Sequence, residues 1–173
     1  MVISEIDKDS FRFLGYRVIT PEGIPPRHEK NWMPVVKLGR LFFVYFHDPY
    51  MVLDVEGKFV VSASKNIPSQ FRGGSQLIPF LEGHLSIVHE VVNINWSKKV
   101  YLHRFVFYDK KLDLKRISEP FYFLNKGIEF VAGACFEEGN ESFLVSFGVE
   151  DKMCKIARID TNFILDSLKH TID

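Results

Sequence analysis

The sequence repeats one unit three times: a short apolar run, a turn that contains glycine, and a second apolar run. The turn glycines are Gly39, Gly83 and Gly139, which lie 44 and 56 residues apart. Because glycine readily adopts the positive φ of tight turns, each unit predicts an antiparallel strand pair. The paired runs are 33–36 with 41–45, 76–80 with 85–89, and 132–136 with 143–147.

Further strand-like runs follow each unit, at 51–55 and 59–61, at 101–108 and 112–117, and at 155–159. The resulting spacing is close to that of one four-stranded blade of a β-propeller. We therefore predict an all-β chain that forms a single propeller-like domain of about three blades over residues 1–173. A partly alternating run at 10–19 predicts an additional strand. Asp160-Thr161-Asn162, before apolar residues at helical spacing, predicts one short C-terminal helix over 163–170.

The middle unit carries polar residues at both outer ends of its hairpin. Arg72 comes just before its first strand, and His89 and Glu90 come just after the apolar part of its second strand. Glu82-Gly83 is predicted to form the turn, because Gly83 accepts positive φ. Since antiparallel strands bring these outer ends together, we expect a cation, an imidazole and a carboxylate to converge. Such a group suits an anionic or polyhydroxylated ligand.

Polar residues recur where the second strand of each unit ends. They are His47 and Asp48, then His89 and Glu90, then Glu150 and Asp151. In a propeller, equivalent strand ends surround one end of the central channel, which predicts a shared pocket there. The ordinary polarity of turns explains the same pattern, so both interpretations stay open at this point.

Composition narrows the class of protein. The chain has 17 Phe and 6 Tyr, residues that favour strands, and its 22 basic and 22 acidic residues balance. This balance predicts no nucleic-acid partner. No apolar run has the length of a membrane span or a signal peptide, so we predict a cytoplasmic protein. Cys135 and Cys154 have no metal-ligand or redox spacing, and we expect two buried free thiols, no metal and no cofactor.

Four segments in order resemble landmarks of the five-bladed β-propeller mannoside phosphorylases. The resemblance is closer to uncharacterised bacterial and viral propellers related to those enzymes and often encoded with glycan-synthesis functions. It covers about residues 27–160 and implies that the chain is a part of a five-bladed-type propeller. The segments are 29–34 (EKNWMP), 72–90 (RGGS to VHE), 128–133 (IEFVAG) and 146–151 (SFGVED).

The resemblance also implies roles for individual residues. Lys30 and His89 match the family's phosphate-binding Lys and His, and Arg72 matches an Arg that borders the same pocket. The implied sugar-binding positions, which offer amide, aromatic and carboxylate groups, are Asn31, Trp32, Glu129 and Asp151. Three further residues, His103, Arg104 and Glu90, are expected at the rim of the pocket.

Departures from the family limit the functional prediction. The family's general-acid aspartate and a further phosphate-binding arginine belong to earlier blades, which this chain does not match, so no catalytic residue is assigned. Three blades also leave an open ring, which a second copy or a partner chain can complete. We predict a carbohydrate-active propeller that binds a sugar together with phosphate, or an anionic sugar. The alternative is a non-catalytic glycan-binding or scaffold half-propeller that acts with a glycosyltransferase or another chain.

Overall fold

A computed structural model describes residues 1–25, 27–65, 67, 70–95 and 99–172. These residues form antiparallel sheets and one short helix, which confirms the all-β prediction. No helix in this part of the chain is long and apolar enough to cross a membrane.

The first sheet contains four strands in chain order. They are β3 (Met33–Lys37), β4 (Arg40–His47), β5 (Tyr50–Asp54) and β6 (Phe59–Ala63). The turn between β3 and β4 contains Gly39 at φ 71°. This sheet is preceded by an N-terminal hairpin made of β1 (Val2–Ile6) and β2 (Phe13–Val18), of which only β2 was predicted.

The second sheet is the largest and runs in the order β15-β11-β10-β9-β7, with β8 also paired to β9. The long strands β9 and β10 are paired along their full lengths. Gly83 is opposite Asp109 at one end, and Asn93 is opposite Lys99 at the other. Its strands are β7 (Arg72–Gly73), β8 (Ile78–Phe80), β9 (Gly83–Asn93), β10 (Lys99–Asp109), β11 (Leu114–Ile117) and the unpredicted β15 (His170–Thr171).

The third sheet contains β12 (Glu129–Phe136), β13 (Ser142–Val149) and β14 (Met153–Asp160) in chain order. Helix α1 (Thr161–Ser167) follows directly, as predicted, although it ends before residue 170. The Asp160 side chain caps it by accepting hydrogen bonds from the backbone N–H groups of Asn162 and Phe163, at 2.7 and 3.3 Å.

The second sheet lies between the other two because alternate residues of β9 serve two cores. Val88 packs in a cluster with Met33 and Val44 of the first sheet. Leu85, on the opposite face of β9, packs in a cluster with Val131 and other residues of the third sheet. Both faces of β9 are therefore buried, as expected for the middle layer of a stack.

The outer face of the first sheet carries a third core. Phe43 and Tyr45 of β4 pack there with Trp32, and Ile19 and Ile3 cover them from the N-terminal hairpin and the residue that follows it. The layers are thus stacked in chain order: N-terminal hairpin, first sheet, second sheet, third sheet.

The segment that precedes β8 contacts the first strand of each of the other two sheets. The backbone N–H of Leu77 donates to the carbonyl of Pro34 at 2.9 Å. The Gln76 side chain donates to the carbonyl of Ala134 at 2.7 Å and accepts from the N–H of the same residue at 3.3 Å. Gln76 and Leu77, which directly precede β8, therefore link the second sheet to β3 on one side and to β12 on the other.

Two sequence-based expectations about local structure are wrong. The turn before β9 is Leu81-Glu82 rather than Glu82-Gly83, since Phe80 pairs with Gly83 and Leu81 takes the positive φ of 50°. Cys135 and Cys154 are free thiols, but both are exposed because they lie on strand positions that face away from the core.

Gly83 is required for close packing, and its substitution gives a test of the fold. A Cβ atom at residue 83 would lie 2.0 Å from the carbonyl oxygen of Tyr108, a backbone atom that cannot easily move. We expect Gly83→Ala to lower the free energy of unfolding by about 1–3 kcal/mol in urea denaturation. Gly15→Ala, where a Cβ meets nothing within 4 Å, is the matched control. Equal stability of the two variants would contradict the packing described here.

Candidate functional site

A cleft of about 260 Å³ lies where the 27–31 loop, the end of β4 and the start of β7 meet. Gly73 allows this approach, because a Cβ there would lie 2.0 Å from the carbonyl oxygen of Asn31. Four of the cleft's lining residues carry cationic or ionisable nitrogen groups. The lining consists of Arg27, His28, Glu29, Lys30, Asn31, Tyr45, Phe46, Phe71, Arg72 and Gly73.

Glu29 organises one wall of the cleft. Its carboxylate accepts hydrogen bonds from Trp32 Nε1 at 3.0 Å, Tyr45 Oη at 2.8 Å and Arg27 Nε at 3.0 Å. Burial raises the pKa of Glu29, but these three bonds outweigh it and hold the pKa below its usual value. The Arg27 guanidinium also donates to Tyr45 and lies 5.0 Å from the ring centre of Phe46. Both charges on this wall are therefore engaged with each other.

Lys30 and Arg72 provide the free positive charge of the cleft. Both side chains are exposed, and no acidic group in the described part of the chain lies within ion-pair distance of either. Asn31, at φ 63°, is half-buried beside them. Of the predicted site residues, Lys30, Asn31 and Arg72 therefore line one cleft.

His89 lies directly behind Arg72, since the two residues are partners in the pairing of β7 with β9. Its side chain is only 2% exposed and stacks on Tyr101, with the ring centres 5.0 Å apart. Burial, the neighbouring His103 and the charge of Arg72 lower the pKa of His89 to about 4. His89 is thus a buried, neutral group at physiological pH and does not line the cleft, so its predicted contact with phosphate is not available in this conformation.

His103 is the cross-strand partner of His89 and lies deeper, between the second and third sheets. It is fully buried beside Phe121 and Phe123, and neither ring nitrogen has a hydrogen-bond partner among the described residues. Burial lowers the pKa of His103 to about 4, although the Glu129 charge opposes this shift. His103 is therefore a core residue, and the expectation that it lies at a rim is wrong.

Glu129 is likewise inside the protein rather than at a sugar-binding rim. Its fully buried carboxylate accepts backbone hydrogen bonds from Phe123, Leu124 and Asn125 at 2.7–2.9 Å. These donors occupy the oxygen atoms to which a sugar hydroxyl would have to bind. Glu129 is the first residue of β12, and its side chain points into the protein. Its role in this fold is to hold the 123–125 loop.

Glu90 and Arg104 do not line the cleft, although the Arg104 guanidinium lies 5.9 Å from the ring centre of Phe71, which does. They form a buried ion pair with each other on the face of the second sheet opposite His89, and Arg104 Nη1 donates to the carbonyl of Ser118 at 2.7 Å. Strand alternation places residues 89 and 90 on opposite faces, which explains why Glu90 does not accompany His89.

Trp32 lines a core and not the cleft. Its side chain is buried, and its ring contacts Phe43 and Tyr45 edge-on at 5.6 and 5.1 Å between ring centres. Because the Trp32 side chain is enclosed in this core, the predicted stacking of a sugar on it is not available in this conformation.

The polar strand ends predicted to share one pocket lie in separate settings. His47 is buried between the first and second sheets, with Nε2 2.8 Å from the hydroxyl of Tyr108. Asp151 is exposed in the β13–β14 turn and lines a groove on the third sheet. Glu150, its neighbour, accepts a hydrogen bond from the backbone of Ile128 at 2.9 Å. Ordinary turn and interface polarity accounts for these positions.

Seven of the ten lining residues were not predicted as site residues: Arg27, His28, Glu29, Tyr45, Phe46, Phe71 and Gly73. The polar run 27–31 before Trp32 was a usable signal for the loop. Tyr45 and Phe46 had none, because their position beside the cleft depends on where β4 ends relative to β7.

Comparison with protein-family models and with curated proteins finds no match to this chain. Within the described residues, no group of three His, Cys, Asp or Glu side chains could hold a metal ion.

Three buried histidines predict acid sensitivity. Burial lowers the pKa values of His47, His89 and His103 from 6.5 to about 4, so the unfolded chain binds more protons between these pH values. Stability should be constant above about pH 6.5 and should fall as pH drops from 6.5 towards 4. Urea unfolding at a series of pH values measures this slope. His103→Leu should reduce it by about one proton; an unchanged slope in that variant would contradict the burial of a neutral His103.

The carboxylate of Glu129 gives a second stability test. Glu129→Ala leaves three partly buried N–H groups without their acceptor and should lower the free energy of unfolding by about 1–3 kcal/mol. Glu129→Gln keeps one oxygen and should cost less. Equal losses, measured by urea denaturation, would show that these bonds do not stabilise the loop.

Proposed function

We propose that the cleft binds an anionic sugar, such as a sugar phosphate, and that this chain is a binding module rather than a complete enzyme. The observation that carries the proposal is the pair of exposed cations, Lys30 and Arg72, in the cleft. The other charges there do not neutralise them, because Arg27 and Glu29 form an ion pair with each other. Lys30 is a flexible point charge, whereas the planar guanidinium of Arg72 can donate two parallel bonds to a phosphate or carboxylate.

The other lining groups suit the sugar part of such a ligand. The half-buried amide of Asn31 can donate to and accept from hydroxyl groups. Phe46, which is 39% exposed, supplies aromatic surface at the cleft. A cleft that combines cations, one amide and aromatic rings favours a ligand with an anionic group and a polar ring.

Binding without catalysis is favoured by the state of the carboxylates. Glu29 accepts from three side chains, and Glu129 accepts from three backbone N–H groups. Hydrolysis or phosphorolysis of a glycoside needs a carboxyl group that can give a proton to the leaving oxygen. Both groups would have to break these bonds to do so, which supports a non-catalytic role for the described part of the chain.

We further propose that the first, second and third sheets are consecutive blades of an incomplete propeller. Their face-to-face stacking in chain order and the meeting of their leading strands through Gln76 and Leu77 support this arrangement. In such a ring the cleft lies between the first and second blades.

Calorimetric titration with mannose 1-phosphate, inorganic phosphate and mannose tests the binding proposal. We expect mannose 1-phosphate to bind more tightly than either part alone. Lys30→Ala and Arg72→Ala should each weaken binding about ten-fold or more, since charge-assisted hydrogen bonds are lost. Lys152→Ala, an exposed cation on the third sheet, is the control for net charge.

Several outcomes would contradict the proposal. Equal affinity for phosphate and mannose 1-phosphate would show that the sugar does not contribute to binding. Equal effects of Lys30→Ala and Lys152→Ala would show that the anion does not bind in the cleft. Release of phosphate or free mannose during incubation would show catalysis and favour the enzyme alternative.

A further inference from the structure

Arg27 lines the cleft and is held in place by two neighbouring side chains. Its Nε donates to Glu29 Oε1 at 3.0 Å, and its Nη2 donates to the hydroxyl of Tyr45. The Tyr45 hydroxyl in turn donates to the same carboxylate oxygen at 2.8 Å. The three side chains therefore form a closed triangle of hydrogen bonds, which fixes the rotation of the guanidinium.

The guanidinium of Arg27 also lies over aromatic rings. Its Cζ atom is 5.0 Å from the ring centre of Phe46 and 5.6 Å from that of Tyr45, which are cation–π distances. Both rings line the cleft, and neither lines the smaller cavity of about 200 Å³ that Arg27 and Glu29 also border. The guanidinium is therefore on the cleft side of this ion pair.

The hydrogen bonds to Glu29 and Tyr45 leave one edge of the guanidinium free. A guanidinium carries five N–H groups in a planar fork, of which Nε and one N–H of Nη2 are used here. The other edge consists of Nη1 and the second N–H of Nη2, and it makes no hydrogen bond with the described residues. The Arg27 side chain is 45% exposed. Two parallel donors on such an edge suit two adjacent acceptor oxygens.

The charge of Arg27 is compensated, so its free edge is better suited to neutral oxygens than to the anionic group of a ligand. The Glu29 carboxylate lies 3.0 Å from Arg27 Nε. By contrast, Lys30 and Arg72 have no acidic partner in the part of the chain that the structure describes. An anion therefore gains more from Lys30 and Arg72. Vicinal hydroxyl groups of a sugar place two neutral oxygens side by side, as the edge of Arg27 requires.

We propose that Arg27 is a specificity-determining residue of the cleft, whose free edge donates to two adjacent hydroxyl groups of the ligand's sugar ring. Glu29 and Tyr45 are its positioning residues. The inference rests on the proposed binding of an anionic sugar and narrows the ligand class to sugars with an unsubstituted vicinal diol. Because the guanidinium is already oriented in the free protein, these two bonds cost little side-chain entropy.

Calorimetric titration with mannose 1-phosphate and with methyl phosphate tests the role of Arg27. Both ligands are phosphate monoesters, but methyl phosphate has no hydroxyl group, so the ratio of the two dissociation constants reports contacts with the sugar. The wild-type chain should prefer mannose 1-phosphate. Arg27→Lys keeps the charge beside Glu29 but has no planar fork, so it should reduce this preference about ten-fold. Its affinity for methyl phosphate should stay within about two-fold of wild type.

Two further variants separate positioning from charge. Tyr45→Phe removes the hydroxyl that orients Nη2 without changing any charge, and it should also reduce the preference for mannose 1-phosphate. Arg72→Lys is the matched control, since it makes the same exchange at the anion position. It should weaken binding of both ligands and leave the preference unchanged. Circular dichroism of every variant verifies folding.

The results distinguish this inference from the proposed function on which it rests. An unchanged preference in Arg27→Lys would show that the free edge does not contact the sugar, and an equal loss of affinity for both ligands would show that Arg27 binds the phosphate. Either result would overturn the role of Arg27 and leave the proposed cleft in place. A wild-type chain that binds neither ligand would overturn the proposed function, and this inference with it.

Discussion

The pairing of β9 with β10 is the interaction on which the other parts of this structure depend. These two strands are paired along their full lengths and form the centre of the second sheet, and both of their faces are covered. One face contributes Val88 to the core shared with the first sheet, and the other contributes Ile87 to the core shared with the third sheet. A shift of the pairing by one residue would exchange the two faces of the shifted strand and place Glu90 and Arg104 on opposite faces of the sheet, which would break their ion pair. The register therefore determines which polar residues are neutral, which are paired and which face the cleft.

The cleft depends on close backbone contacts more than on side-chain packing. Gly73 brings β7 against the loop at Asn31, and β7 in turn presents Arg72 above His89. The wall on the other side is fixed by Glu29, whose three donors come from the loop itself and from β4. The backbone positions from which Lys30 and Arg72 extend are thus fixed on both sides of the cleft, while the two side chains themselves are exposed.

The sequence predicted the elements that are determined locally. Gly39 and Gly139 do adopt positive φ, so the turns around them were predictable from spacing, and the Asp160 cap was recognisable from its residue type. The sequence could not predict which strand faces would be covered. Both faces of the second sheet are buried, so the alternation of polar and apolar residues along its strands does not show which polar side chains are exposed. The same alternation fits an exposed or a buried Glu90 or His103. The interior positions of Glu129 and Trp32 depend on loop and sheet partners distant in the sequence, and no local signal records those contacts.

The binding of the 123–125 loop by Glu129 has a consequence for sequence variation. All three donors are backbone N–H groups, so the hydrogen bonds specify a path for the main chain and not the identity of the side chains. Leu124 and Asn125 are exposed, and almost any residue except proline could replace them without loss of these bonds. A single buried carboxylate therefore keeps the shape of a surface loop constant while its outward chemistry is free to diverge.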